Sequence, residues 1–461
     1  MQILIYLGVF VLYTNLADNL AGTPYIILPV VAAFFGFPLM IRLLFRREGI
    51  TFDRTYQLML VFLAAAILST LIAKDQTLAL LWILEYVAQG VLLYPLVVNL
   101  VRDRASWMRF VRVVMLSASL LGSAAILDNV TGLKVSKALH LTDEEDPTNL
   151  RQLARVNATG PGGREVGPIG GPNRFAQILI VLIPLGLCCL KTSKNWTEKI
   201  VSAGALLLVL GGVLVTYSRG ALLTLMMLAW LLPLFGLLRL RIVVIAGALG
   251  IILAPIVAPS LVARLMTLQG VESFFDQDAD VGADSSMRGR MTEMLSAFNV
   301  FLDHPIIGVG PGQYTKFYSM EYQSDPKIAF RGITKTRRAH CLYLEMAAET
   351  GLLGLSVFGA LMGFLILGLW EQRRRWLDRD EDLVTMVTAA GLSVVAYLGT
   401  AVFLHLSYQR YFWFLVAIAG SALVIARDEE PVEEEDAAPA PITSIMTRDE
   451  RLIPTLRPDV R

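Results

Sequence analysis

The chain has 461 residues, 55% of them hydrophobic and only 17% charged, with a formal net charge of +1 and a mean hydropathy of +0.59. That composition excludes a soluble globular domain and defines an integral membrane protein. With 40 basic residues against 39 acidic ones, no nucleic-acid partner is expected.

Apolar runs of about 18 to 25 residues are long enough to cross a hydrocarbon core of roughly 30 Å as helices. They predict an all-α, polytopic fold of about twelve transmembrane helices, near 2–17, 24–45, 55–73, 79–101, 107–128, 174–190, 199–217, 220–238, 241–258, 341–370, 383–404 and 409–426. The first run lacks a basic n-region and a small-residue cleavage site, so it reads as a retained span and not a signal peptide. The resulting organisation is an N-terminal helical group (1–128), a first outer loop (129–173), a central group (174–258), a large outer loop (259–340), a C-terminal group (341–426) and a tail (427–461).

Basic residues set the orientation. Arg42, Arg46 and Arg47, Arg102 and Arg104, Lys191, Lys194 and Lys199, Arg239 and Arg241, and Arg373, Arg374 and Arg375 all fall in loops on one side. That side is cytoplasmic by the positive-inside rule. Both termini are then cytoplasmic, and the two long loops face outward, which in a bacterium means the periplasm. Cys188 and Cys189 lie at the opposite membrane face from Cys341, so no disulfide framework follows.

The first outer loop has a polar front half, with a short helix expected near 148–156, and a back half rich in Gly and Pro that favours turns. His140 and the acidic run Asp143–Asp146 read as a solvated loop and not a metal site. Farther on, Thr216-Tyr217-Ser218-Arg219-Gly220 turns one span directly into the next. Arg219 is either a helix-end anchor at the interface or a planar fork that holds an anionic group bidentately.

Residues 285–354 carry most of the chemistry. Met287, Met291, Met294, Leu295, Phe298, Phe301 and Leu302 fall at helical spacing, a stripe suited to a membrane surface or to neighbouring spans, with Arg288 and Arg290 off the stripe. Upstream, Asp276, Asp278 and Asp280 resemble a metal-binding acidic run but read as a surface loop, so no metal is expected. Gly308-Val-Gly310-Pro-Gly312 follows a helix and lacks a βαβ unit, so it is a turn that re-aims the chain and not a dinucleotide fingerprint. Arg331, Lys335, Arg337 and Arg338 lead into His340, which is either a hydrogen-bonded interfacial residue or, with an ordinary pKa near 6.5, a base for a hydroxyl. Glu345 and Glu349 follow at i, i+4 and need cationic or polar partners at that depth.

Several of these segments together resemble the O-antigen ligase family and its polymerase relatives. They are GPNRFAQILIVLIPL, the SRG after a long apolar run, the RGR in an amphipathic helix, HPIIGVGPGQY, and AHCLYLEMAAETGLLGL. The resemblance spans roughly residues 170 to 370. It implies a GT-C-like membrane glycosyltransferase that moves a glycan from undecaprenyl diphosphate to an acceptor hydroxyl without a nucleotide sugar or other cofactor. The acceptor would be another glycan or a lipid A core. In that scheme Arg219 and Arg288 grip the diphosphate and His340 activates or orients the acceptor, with Arg290, Arg338 and Glu349 as further substrate-binding positions. Family members often carry Asn after the histidine, where this chain has Cys341. The implied location is the bacterial inner membrane, with the site facing the periplasm.

A transporter or flippase of a polysaccharide export system is the alternative. Against it, Glu85, Asp128, Arg219, His340, Glu345, His405 and Arg410 fall toward outer span ends, while Glu349 lies deeper. The acidic, Ala/Pro-rich tail reads as disordered, a solubilising segment or a docking site for other polysaccharide assembly proteins.

Overall fold

A computed structural model describes residues 2–16, 27–47, 49–133, 135–139, 167, 171–257, 285–328, 330, 336–404 and 409–429. Among them all the regular secondary structure is helical. We number the principal helices α1 Gln2–Tyr13, α2 Ile27–Phe45, α3 Arg54–Thr70, α4 Gln76–Leu100, α5 Arg104–Thr131, α6 Pro172–Lys191, α7 Trp196–Val215, α8 Arg219–Leu234, α9 Leu240–Val257, α10 Ser285–Asp303, α11 Leu342–Trp376, α12 Glu381–Thr400 and α13 Gln409–Asp428. Eight of them (α2, α4, α5, α6, α7, α11, α12 and the Arg410–Asp428 part of α13) are long and apolar enough to cross a membrane, and α1, α3, α8 and α9 hold shorter apolar helices. The expected helix near 148–156, His140, the 143–146 and 276–280 acidic runs, Arg331, Lys335, His405 and the tail beyond 429 lie outside the described residues.

Helix starts follow local capping chemistry. The side chains of Asp53, Asp75, Asp103, Asn195 and Asp380 each accept the N–H two or three residues on, which satisfies donors that a helix cannot satisfy internally. Burial then sorts the helices. In α6, α12 and α13 most side chains are buried, whereas in α2 and α7 only a minority are. Buried faces carry small and hydroxyl side chains such as Thr385, Thr388, Ser393 and Ser421, which let apolar helices approach closely where lipid leaves no hydrophobic gain between them.

Contacts among the basic segments place them at one end of the bundle. Arg42 donates to the carbonyls of Asn99 and Leu100, Arg104 pairs with Asp380, Lys191 pairs with Glu381 at 3.4 Å, and Arg373 donates to Phe235 O at 3.3 Å. The residues expected to carry chemistry gather at the other end.

Two expectations change in the structure. The run 341–370 is not one straight helix. Gly351 sits at φ 65°, ψ −166°, and breaks α11 into two pieces. Pro305–Gly310 packs into that break: Leu352 N and Leu353 N donate to Pro305 O and Ile306 O, and Val309 N and Gly310 N donate to Ala348 O and Glu349 O. Ser69 Oγ of α3 lies 2.6 Å from Ile307 O and 2.7 Å from Glu349 O, tying a third element to the same point. The glycine-rich turn therefore supplies the donors and acceptors that the broken helix lacks.

The apolar stripe of α10 is the other change. Its packing face consists of Gly289, Thr292, Glu293, Ser296, Ala297 and Val300, all buried, while Phe298 and Leu302 are exposed. Met291, Met294, Leu295 and Phe301 of the stripe are half-buried beside that face, so the stripe borders the packed face and does not form it. A face of small and polar residues packs on α11, because that is the face that holds the site.

Candidate functional site

The site is assembled from α10, the turn 305–313, the 336–341 segment and the first turns of α11, with a small core of its own made by Ala297, Val300, Val309, Tyr314, Tyr318, Ala339 and Ala348. Tyr314 closes this core: its buried hydroxyl lies 3.1 Å from Glu293 O and 3.0 Å from Ser296 Oγ. Gln313 makes a reciprocal amide pair with the backbone of Asp75 at 2.9 and 3.0 Å, and Lys316 binds the Asp75 carboxylate at 2.8 Å. The ledge is thereby anchored to the α3–α4 connection.

His340 stands at φ +53°, a left-handed conformation that costs a non-glycine residue of order 1 kcal/mol and clusters at functional positions. Its side chain keeps 27% of its surface exposed, enough to meet a ligand. Nδ1 lies 3.1 Å from Arg338 O. A carbonyl can only accept, so this contact puts the proton on Nδ1 and leaves Nε2 as the basic nitrogen. Burial first, and then the positive charge of Arg290, lowers the imidazole from its ordinary value to about 4, with Arg174 and Arg337 acting in the same direction. The ring is therefore neutral at pH 7.

Glu345 is what holds the 338–340 backbone. Its carboxylate pairs with Arg338, with Nε at 2.8 Å, and also accepts Ala339 N–H at 3.2 Å. Burial opposes the Arg338 charge, but Glu345, Glu349 and Glu85 outweigh it and raise its pKa above the ordinary value. Glu349 lies on the face of α11 toward the glycine turn, with the backbone of Gly312 and Tyr314 near its carboxyl. Replacing Glu345 by Gln should lower transfer by about 10- to 100-fold, because a reacting group displaced by about 1 Å loses that much, and should lower the thermal midpoint of the purified protein. Full transfer at unchanged stability would remove Glu345 from this role.

The expected site residues do not all meet. Arg290 and Glu293 share one face of α10, and both act on His340. Arg288 is two residues from Arg290, roughly 200° around the helix, and its carbonyl accepts Thr292 Oγ1 at 3.3 Å. Arg219 opens α8 behind Tyr217, itself at φ +48°, with Ser218 as N-cap. A Cβ on Gly220 would lie 3.7 Å from Phe403 Cβ. Nearby, Ala401 O accepts Leu342 N, two residues past His340, at 2.9 Å. The start of α8 thus comes alongside the His340 segment. Sequence reasoning missed Glu293 altogether and gave neither Arg174 nor Arg337 a place in the site. The signal for Glu293 was its i+3 spacing from Arg290. No group of three or more metal-ligating side chains gathers among the described residues.

These features define a multi-pass helical membrane protein with an arginine- and histidine-bearing ledge at one end of its bundle. Residues 204–359, which contain that ledge from Arg219 through Glu349, match the family model described as O-Antigen ligase. That match, over about a third of the chain, supports a membrane glycosyltransferase activity of the ligase/polymerase type in polysaccharide biosynthesis. No curated protein matches the chain.

Proposed function

We propose that the protein transfers a glycan from undecaprenyl diphosphate to an acceptor hydroxyl at the periplasmic face of the bacterial inner membrane, as a polymerase or a ligase. The observation that carries this reading is the neutral, part-exposed His340 ring among Arg290, Arg174 and Arg337 within the family-matched stretch. Nε2 of His340 takes the proton of the acceptor hydroxyl as its oxygen attacks the anomeric carbon. The anomeric carbon–oxygen bond to the diphosphate breaks, and the lipid diphosphate leaves as an anion. Arginines fixed near a low-dielectric interface stabilise that charge as it develops. Arg219 and Arg290 are the proposed diphosphate ligands, with Arg290 preferred over Arg288 because it shares the helix face that meets His340. Glu349 and Arg338, expected as substrate ligands, are better read as groups that hold the turn and the His340 backbone.

The transporter alternative gains no observation of its own. Asp128 binds the N–H groups of Val135 and Ser136, Arg410 binds Asn15, Gln89 binds Glu85, and Glu349 faces the turn.

The test is purified protein in lipid nanodiscs, given an undecaprenyl-diphosphate-linked glycan and an acceptor. Arg290→Lys should lower transfer by about 30- to 1,000-fold, since an ammonium cannot supply the planar fork and such a contact is worth roughly 2–4 kcal/mol. Arg288→Lys should lose much less. The reverse ranking would return the role to Arg288, and wild-type turnover by both variants and by Arg219→Lys would defeat the diphosphate reading.

A further inference from the structure

Glu293 is a carboxylate with 1% of its surface exposed, inside a chain whose sequence gives no reason for one there. It sits on the buried face of α10, where burying a charge is costly unless specific partners meet it. Those partners are in the site. Oε2 lies 3.4 Å from His340 Nδ1 and Oε1 lies 3.5 Å from an Arg337 guanidinium nitrogen. The stretch of helix that carries it is pinned by the Tyr314 hydroxyl, which donates to Glu293 O at 3.1 Å. Nδ1 therefore faces two acceptors, the Glu293 carboxylate and the Arg338 carbonyl.

We propose that Glu293 is the positioning residue of His340: its carboxylate reinforces the tautomer that the Arg338 carbonyl sets, with Nε2 bare toward the acceptor hydroxyl, and balances the charge that the ring acquires when it takes the hydroxyl proton. The inference rests on the reading of His340 as the base. The surroundings make such a carboxylate necessary. Arg290 from α10, Arg174 from α6 and Arg337 from the approach segment all oppose a positive imidazole, and Arg338 is already neutralised by Glu345. Without Glu293, proton uptake would place one more cation among three, a like-charge arrangement that disfavours the protonated form. With it, the imidazolium–carboxylate pair is neutral as the hydroxyl O–H bond breaks. The proton leaves to the departing diphosphate or to water, and the ring returns to its starting tautomer. A second carboxylate-bound nitrogen is the general way in which a histidine is held in one orientation and tautomer.

The experiment uses the full chain in lipid nanodiscs with an undecaprenyl-diphosphate-linked glycan and an acceptor. It compares Glu293→Gln, which keeps the shape and removes the charge, with Glu293→Asp and His340→Ala. Ring 15N signals of the histidines are followed with pH, and His340 is identified by its loss in His340→Ala. We expect Glu293→Gln to lower kcat by about 10- to 100-fold with donor binding kept, and Glu293→Asp to recover part of the loss. We also expect the His340 ring in Glu293→Gln to titrate at least about one pH unit lower than in the wild type. Wild-type kcat in Glu293→Gln while His340→Ala is inactive would overturn the role of Glu293 and leave the base in place. Wild-type kcat in His340→Ala would overturn the base itself, and this inference with it. A loss of kcat in Glu293→Gln with unchanged His340 titration would mean that Glu293 only supports the fold.

Discussion

Replacing His340 by alanine should lower glycan transfer by about 100- to 10,000-fold, the usual range for loss of a general base, while the lipid-linked donor still binds. The pH dependence is the sharper part of this expectation. Burial and the charge of Arg290 lower the ring to about 4 in the unliganded protein. A lowered value means that the neutral, basic form persists to lower pH than in a free histidine. The acid limb of kcat/KM, which reports the free enzyme, should therefore fall near pH 4 and not near 6.5. When the donor diphosphate occupies the arginines, their opposition to the imidazolium is screened. The limb of kcat, which reports the substrate complex, should move up toward the ordinary value. Donor binding would then make the base stronger just when an acceptor hydroxyl can use it. A kcat/KM limb at 6.5 that coincides with the kcat limb would refute this account, as would wild-type turnover by His340→Ala.

The other large effect is structural. At Gly308, φ +69°, an added Cβ would lie 2.3 Å from Glu349 C; at Gly351, φ +65°, it would lie 2.3 Å from Ile306 O. Each glycine faces the backbone on the other side of the same contact. Neither clash can be relieved by turning a side chain, and both positions need a left-handed backbone as well. Gly308→Ala and Gly351→Ala should each cost well over about 3 kcal/mol, the range of severe single substitutions, and yield little monodisperse protein. Gly359→Ala in the same helix meets nothing within 4 Å and should be tolerated. Equal yields and thermal midpoints for Gly308→Ala and Gly359→Ala would show that the interlock does not hold the ledge.

Much of the architecture was open to reading from residue types. Runs of apolar residues must form helices in lipid, because no other open segment satisfies its own backbone there. Arg219, Arg288, Arg290, His340, Glu345 and Glu349 stood out because charge is expensive near a membrane and is kept for a purpose. The GVGPGQY segment was recognisable as a turn, since its glycines admit conformations closed to other residues. The spacing of α10 also established that it is amphipathic.

Other features depended on distant parts of the chain meeting. Which face of α10 packs inward could not be read from its periodicity, because the inward face is polar and its burial is justified only by partners 45 or so residues away, such as His340 and Arg337. Glu293 drew no attention in the sequence for the same reason. Arg288 and Arg290 were equivalent as letters, and the proposal prefers Arg290 only because of how α10 is turned toward His340. The break in α11 is likewise a property of two segments: Gly351 alone permits it, and Pro305–Gly310 supplies the hydrogen bonds that make it stable. Residue types and their spacing act locally, so the sequence by itself determined that this protein is a bundle of membrane helices and which side chains are costly to place there. The pairing of buried charges is a long-range matter, settled only when packing brings an acid from one helix to a histidine and an arginine in the segment that leads into another, and that is what the tertiary structure decided.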